Sequence, residues 1–201
     1  MTNEVVLVPG LWVPAAAMAL VALRLARLGY ATRTFAYRGR APLEVNLERL
    51  ARFVDGRTAH FVGHSLGGVV VYDMLMRHRD VKAHKVVLLG APVGGCHAGR
   101  RLGSRAFGRW LLGACCERWE KHDARWQRPE SLGVIAGTRP LGLGRVLGPL
   151  PGDNDGVVCV DETAIEGMSD RALVHEAHSM LAVSGRVSAL VEHFLRSGRF
   201  A

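Results

Sequence analysis

Thr58-Ala59-His60-Phe61-Val62-Gly63-His64-Ser65-Leu66-Gly67-Gly68-Val69-Val70-Val71-Tyr72 changes character at its centre, and that change decides the fold. Thr58 to Val62 reads as a short strand, and Gly68 to His78 reads as a helix with an apolar face. Gly63-His64-Ser65-Leu66-Gly67 lies between them, a G-x-S-x-G at a strand-to-helix junction. The two glycines lack Cβ, so the chain can turn sharply and hold Ser65 in a strained conformation. Such a turn lifts the serine Oγ above the sheet and sets it at the N-terminal end of the helix. Backbone N–H groups there can stabilise a developing oxyanion. The pentapeptide alone is weak in a chain with 24 glycines; its strand–helix setting carries the argument.

Working outward, Glu4 to Val8 is an apolar run ended by Pro9-Gly10, read as a buried strand and a turn. Pro14 opens a helix whose apolar face includes Met18, Val21, Leu25 and Leu28, and Gly29 stops it. Thr32 to Tyr37 is the next strand, and Leu43 to Val54 the next helix, closed by Asp55-Gly56. Lys85 to Leu89 has the near-continuous apolar character of a strand covered on both faces. Leu132 to Ala136 is a fifth strand, Ala172 to Val174 a sixth, and Val187 to Leu195 a final helix. Strands alternating with helices imply a parallel sheet within one α/β domain, residues 1–201.

Residues 92–130 break the alternation and are too long for an ordinary loop. Three of the four tryptophans (Trp110, Trp119, Trp126) lie here, and Phe107, Trp110, Leu111, Ala114 and Cys115 recur at helical spacing. The expectation is a cap whose apolar underside, through Phe107, Trp110 and Leu111, faces a substrate. The net charge of +8 concentrates in the same region. Between Cys96 and Arg128 stand eight basic residues, among them Arg100, Arg101, Arg105 and Arg109, against Glu117, Glu120 and Asp123. Such a patch reads first as a solvated, arginine-rich surface and otherwise as one that attracts phosphates, anionic lipid headgroups or acidic partners; no nucleic-acid partner is expected.

The remaining composition is that of an ordinary globular protein, 49% hydrophobic and 22% charged, with no apolar run of membrane-spanning length. No basic n-region precedes Val5 to Val8, so the cytoplasm is the expected compartment. Cys96, Cys115, Cys116 and Cys159 match no disulfide framework. Cys96-His97, Cys115-Cys116 and His122 have zinc-ligand chemistry without C-x₂-C spacing, and free buried thiols are the favoured reading.

An activated serine needs a base, and the base needs a group to orient it. With an elbow of this kind the order along the chain is serine, acid, histidine. Pro151-Gly152-Asp153-Asn154-Asp155-Gly156 offers two acids, and His175-Glu176-Ala177-His178 two histidines. His64 reads as packed beside the serine, and His60 as a strand residue.

Taken together, VPGLW at 8–12, GHSLG at 63–67, LLGAPVGG at 88–95, NDGVV at 154–158 and HSML at 178–181 resemble the α/β-hydrolase superfamily, and within it the small bacterial serine esterases and lipases. The resemblance implies a reduced, about six-stranded, mostly parallel sheet with helices on both faces and a cap at 92–130. It maps the catalytic acid to Asp155 and the base to His178. The oxyanion donors would be the N–H groups of Leu66, after the nucleophile, and Leu11, in the loop after the first strand. Trp12 would stand at the mouth of the acyl pocket, or else pack in the core. The expected reaction is hydrolysis of a small-molecule ester or lipid through an acyl-enzyme, with no metal or organic cofactor. Transfer to another acceptor, or thioester hydrolysis, would use the same residues. A reading of another class is a hydrolase fold that binds anionic lipid or an acidic partner through its arginines.

Overall fold

The computed structural model describes residues 3–11, 13, 15–120, 122–142 and 148–200, with backbone only for 15 and 115–117. Six strands form one sheet: β1 (Glu4–Val8), β2 (Ala31–Thr34), β3 (Ala59–His64), β4 (Ala83–Leu89), β5 (Ser131–Gly137) and β6 (Asp170–Val174). Their order is β2-β1-β3-β4-β5-β6, and every neighbouring pair is parallel. Parallel neighbours require crossovers, and the first three here each carry an α-helix. These are α1 (Ala19–Arg27), α2 (Leu43–Val54) and α3 (Leu66–Arg77), with α6 (Gly185–Ser197) closing the chain.

Strand alternation sends side chains into two separate cores. Val5 and Leu7 of β1 join Val62, Val87, Leu89 and Ile135 on the face covered by Val21 and Leu25 of α1 and by Val187, Val191 and Phe194 of α6. Val6 and Val8 join Phe61, Val86 and Leu88 on the face covered by Leu47 and Leu50 of α2 and by Val69 and Val70 of α3. The central strands are apolar on both faces because both faces are covered.

The chain leaves β1 for β2 on one side and returns to β3 on the other, so the strand order reverses between β1 and β3. Ligands in open α/β sheets bind outside the carboxyl ends of strands at such a switch point. Val8 pairs with Gly63 there, at the ends of β1 and β3. The loop carrying Leu11 and the turn carrying Ser65 therefore emerge side by side.

The strands and helices expected from sequence are present, with shifted ends. β3 runs to His64 and α3 starts at Leu66, so only Ser65 separates them. Pairing on β2 stops at Thr34, and beyond it the Phe35 ring packs against Tyr37 and Phe53. The first helix begins as a 3₁₀ turn, Ala15–Met18, and Leu28 is exposed, outside the expected apolar face. Residues 92–130 contain α4 (His97–Gly103), α5 (Ala106–Leu112) and a 3₁₀ helix, Gly113–Trp119. No helix among the described residues is long and apolar enough to cross a membrane.

Candidate active site

Ser65 has φ 54° and ψ −127°, the one positive φ outside glycine among the described residues. The flanking glycines make that turn sterically possible. A Cβ on Gly63 would lie 2.5 Å from Gly68 Cα, and one on Gly67 would collide with the carbonyl oxygens of Val8 and Pro9. The G-x-S-x-G pattern thus records close backbone approach at the first helical turn. The Ser65 N–H donates to the Leu89 carbonyl at 2.9 Å, tying the turn to β4.

His178 follows β6, and its ring reaches Ser65 from the opposite side of the cleft. Asp155 Oδ2 accepts from His178 Nδ1–H at 2.7 Å. With its proton on Nδ1, the neutral ring leaves Nε2 to accept from the Ser65 hydroxyl at 2.8 Å. Asp155 is 1% exposed, and its other oxygen, Oδ1, accepts from the N–H groups of Val157 and Val158 at 3.0 and 2.8 Å. A buried carboxylate needs such partners. Gly156, at φ 91°, shapes the turn, because a Cβ there would strike the Leu141 backbone. The His178 N–H also donates to the Asp155 carbonyl at 2.9 Å, so backbone and side chain hold one relative orientation.

Asp153 and His175 are both exposed and make no contact with Ser65. His64 is fully buried, and its Nε2–H donates to the His178 carbonyl at 2.9 Å. Its ring centroid lies 4.9 Å from that of His178. Burial, reinforced by the nearby His178, pushes the His64 pKa down to about 3, so it is a neutral donor and no base. The pattern marks His64 as the variable residue of the turn; nothing in the sequence signals its bond to a carbonyl 114 residues away.

Ser65 opens into an apolar cavity of about 380 Å³, lined by Leu11, Leu66, Leu102, Leu112 and Trp119 among others. Leu11 and Leu66, expected as amide donors, both lie on this cavity, and no hydrogen bond among the described residues engages either amide. The first N–H groups of a helix lack intrahelical partners, which leaves Leu66 N–H available.

Three expectations for the pocket need correction. Phe107 and Trp110 are 70% and 60% exposed, and neither they nor the half-buried Leu111 lines the cavity. Packing of α5 against α4 sets this orientation: Gly108 lies so close to the Leu102 backbone that no Cβ fits between them. α5 therefore turns Gly108 and Leu112 inward and its aromatic side outward. Trp119 and Leu102 fill the pocket wall instead. Trp119 sits there because α4 has a glycine, Gly99, against its ring; a Cβ would come within 2.8 Å. Trp12 falls outside the described residues.

Cys96 and Cys159 are buried free thiols, and burial raises both to about 12. The side chains of Cys115 and Cys116 fall outside the described set. Among the described residues, His97, Cys159 and Glu162 form the one group with metal-ligand chemistry, their donor atoms within 4.8 Å of one another. Its carboxylate is already engaged: Glu162 accepts from the Cys159 N–H at 2.7 Å, from His97 Nδ1 at 2.7 Å and from the His97 N–H. These bonds join the turn after Asp155 to the start of α4.

The sequence profile of the alpha/beta hydrolase family matches residues 5–194. No curated protein matches the chain. Among solved structures, the lipase BlEst2 of Bacillus licheniformis in mature form is 16% identical, covers 97% of this chain and 91% of its own, and superposes with a TM-score of 0.70. A metagenomic carboxyl esterase is 19% identical over 87% of this chain and 64% of its own, at 0.66. A pyrethroid hydrolase from Sphingobium faniae is 12% identical over 96% and 97%, at 0.63. Likeness at such identities establishes a shared fold.

Proposed function

The chain belongs to the alpha/beta hydrolase family, and from that premise we propose that it is a serine carboxylester hydrolase with Ser65, Asp155 and His178 as its catalytic residues. The observation that supports this most is the continuous hydrogen-bonded run Asp155–His178–Ser65, ending on a strained serine that opens into an apolar cavity. His178 Nε2 takes the Ser65 proton as Oγ attacks the ester carbonyl, and Asp155 holds the tautomer and stabilises the imidazolium. The oxyanion accepts from the amides of Leu66 and Leu11. Collapse returns the proton from His178 to the departing alcohol and leaves an acyl-enzyme. Water, deprotonated by His178, then releases the acid and restores Ser65.

The cavity walls indicate the acyl side of the substrate. Leu102, Leu112 and Trp119 present apolar surface, where each CH₂ buried contributes about 0.8 kcal/mol. In this reading residues 92–130 form the cap of a single domain, its inner face being α4, Leu112 and Trp119. A neutral small-molecule ester with a short to medium acyl chain is the substrate class. The test is a panel of p-nitrophenyl esters of graded acyl length, with Ser65→Ala as control. Hydrolysis that rises with chain length until the cavity is full, and vanishes in Ser65→Ala, supports the proposal. Equal hydrolysis by wild type and Ser65→Ala would contradict it.

A further inference from the structure

α5 has an exposed, aromatic outer face as well as a buried inner one. The Phe107 and Trp110 rings stack at 5.8 Å between centroids and 28° between planes, both largely in solvent. Two adjacent large rings cost a soluble surface more than scattered apolar residues do, and such patches mark contact sites. Arg40, from the loop before α2, places its guanidinium 4.7 Å from the Trp110 ring centroid. Arg105 precedes α5, Arg109 lies within it, and both are exposed. No Asp or Glu occurs between Asp80 and Glu117, so α5 and the segments that flank it carry basic residues without acidic ones.

The chemistry calls for a partner that is anionic and also accepts aromatic side chains at its boundary. A soluble anion satisfies only the arginines, and an apolar cleft only the rings. An anionic bilayer offers both: headgroup phosphates for Arg40, Arg105 and Arg109, and the interfacial layer in which tryptophan settles. We propose that the outer face of α5, Phe107 and Trp110 flanked by Arg40, Arg105 and Arg109, docks the protein on an anionic lipid surface. The opposite side of the same helix carries Leu112 into the cavity, so docking places the cavity wall next to the bilayer. The docking stands apart from the esterase reading, because neither the rings nor these arginines line the cavity.

The test is co-sedimentation of the full chain with phosphatidylglycerol-containing or pure phosphatidylcholine vesicles, at low and high salt. Hydrolysis of soluble p-nitrophenyl acetate is followed in parallel, so that failure of docking and failure of the esterase reading are distinguishable. Preference for phosphatidylglycerol of about tenfold or more is expected, fading as the Debye length shrinks from about 10 Å at 0.1 M salt to 3 Å at 1 M. Arg105→Glu/Arg109→Glu should lose most of that preference, and Phe107→Ser/Trp110→Ser most binding to either vesicle, while soluble-ester turnover and melting temperature hold. Brominated lipid should quench wild-type emission more than that of Trp110→Phe, a variant that keeps an aromatic ring and guards against misfolding. Equal binding to both vesicles, unchanged binding by both double variants, or no binding at all overturns the proposal. So does a concentration-dependent dimer that Phe107→Ser/Trp110→Ser dissociates, since the face would then join two copies of the chain.

Discussion

Ser65 carries two burdens, a backbone in a region that L-residues avoid and a hydroxyl held for chemistry. Strain of this kind costs of order 1–3 kcal/mol and persists where the surroundings enforce it. Ser65→Gly should therefore be more stable than Ser65→Ala by about 1 kcal/mol, since only glycine relaxes at positive φ. Thermal or urea melts of the two inactive variants check this, and equal midpoints would remove strain from the account. In activity, Ser65→Ala, His178→Ala and the double variant should all fall by the same factor, roughly 10³–10⁶, because the residues act as a unit. His64 gives a prediction in pH. Its pKa is about 3 in the fold and near 6.5 unfolded, so between these values the unfolded chain binds the proton. Stability from this residue is complete above pH 6.5 and is lost as pH falls toward 3, at up to about 1.4 kcal/mol per pH unit. The wild-type melting temperature should thus drop more steeply from pH 7 to 4 than that of His64→Gln, and parallel slopes would contradict the assignment.

Among elements, α4 and α5 wall the cavity beside Ser65 through Leu102 and Leu112, and the proposed function makes them the test of chain-length preference. Leu112→Ala should favour longer acyl chains, and Leu102→Trp should shift the optimum to shorter ones by one or more carbons. About 0.8 kcal/mol per CH₂ corresponds to roughly fourfold in kcat/KM. An unchanged chain-length profile in both variants would place the acyl site elsewhere. These two helices are also where the sequence was least legible. β1, β3 and α3 declare themselves through local patterns, an apolar run or a period of 3.6 bounded by glycine, and the structure has them within a few residues. α5 has the right period but no local signal of which side is inward. The choice rests on its contact with α4, where Gly108 meets Leu102, just as the place of Trp119 rests on its ring meeting Gly99 of α4. A glycine-mediated contact leaves no hydrophobic signature, so the sequence makes the aromatic stripe look like the buried face, whereas Phe107 and Trp110 are exposed. Asp155 and His178 stand in short motifs, NDGVV and HSML, and the family resemblance of those motifs is what sets them above Asp153 and His175 in the sequence. The Asp155 motif closes on itself, with the Val157 and Val158 N–H groups donating to Asp155 Oδ1, whereas the His178 N–H reaches the Asp155 carbonyl 23 residues away, a contact no local pattern carries.

At the scale of the molecule, the site joins segments separated by more than a hundred residues. Ser65 follows β3, His178 follows β6, and the Asp155 turn follows β5, all at the carboxyl edge of one parallel sheet. Both faces of that sheet are packed, and α6 is central to one of them. Phe194 is fully buried against Phe200, at 4.8 Å between centroids, and above Gly133 of β5. Phe194→Ala should cost about 3–5 kcal/mol of stability, read as a lowered urea midpoint, while kcat on a soluble ester at low temperature changes little. Loss of turnover without loss of stability would show that α6 acts on the site directly. If the fold assembles an activated serine, a fluorophosphonate reacts with its Oγ, and mass spectrometry locates the adduct. One label per chain is expected, on Ser65, at a rate that collapses in His178→Ala though the serine remains. No label at Ser65 in a protein that still hydrolyses esters, or equal labelling in His178→Ala, would contradict it.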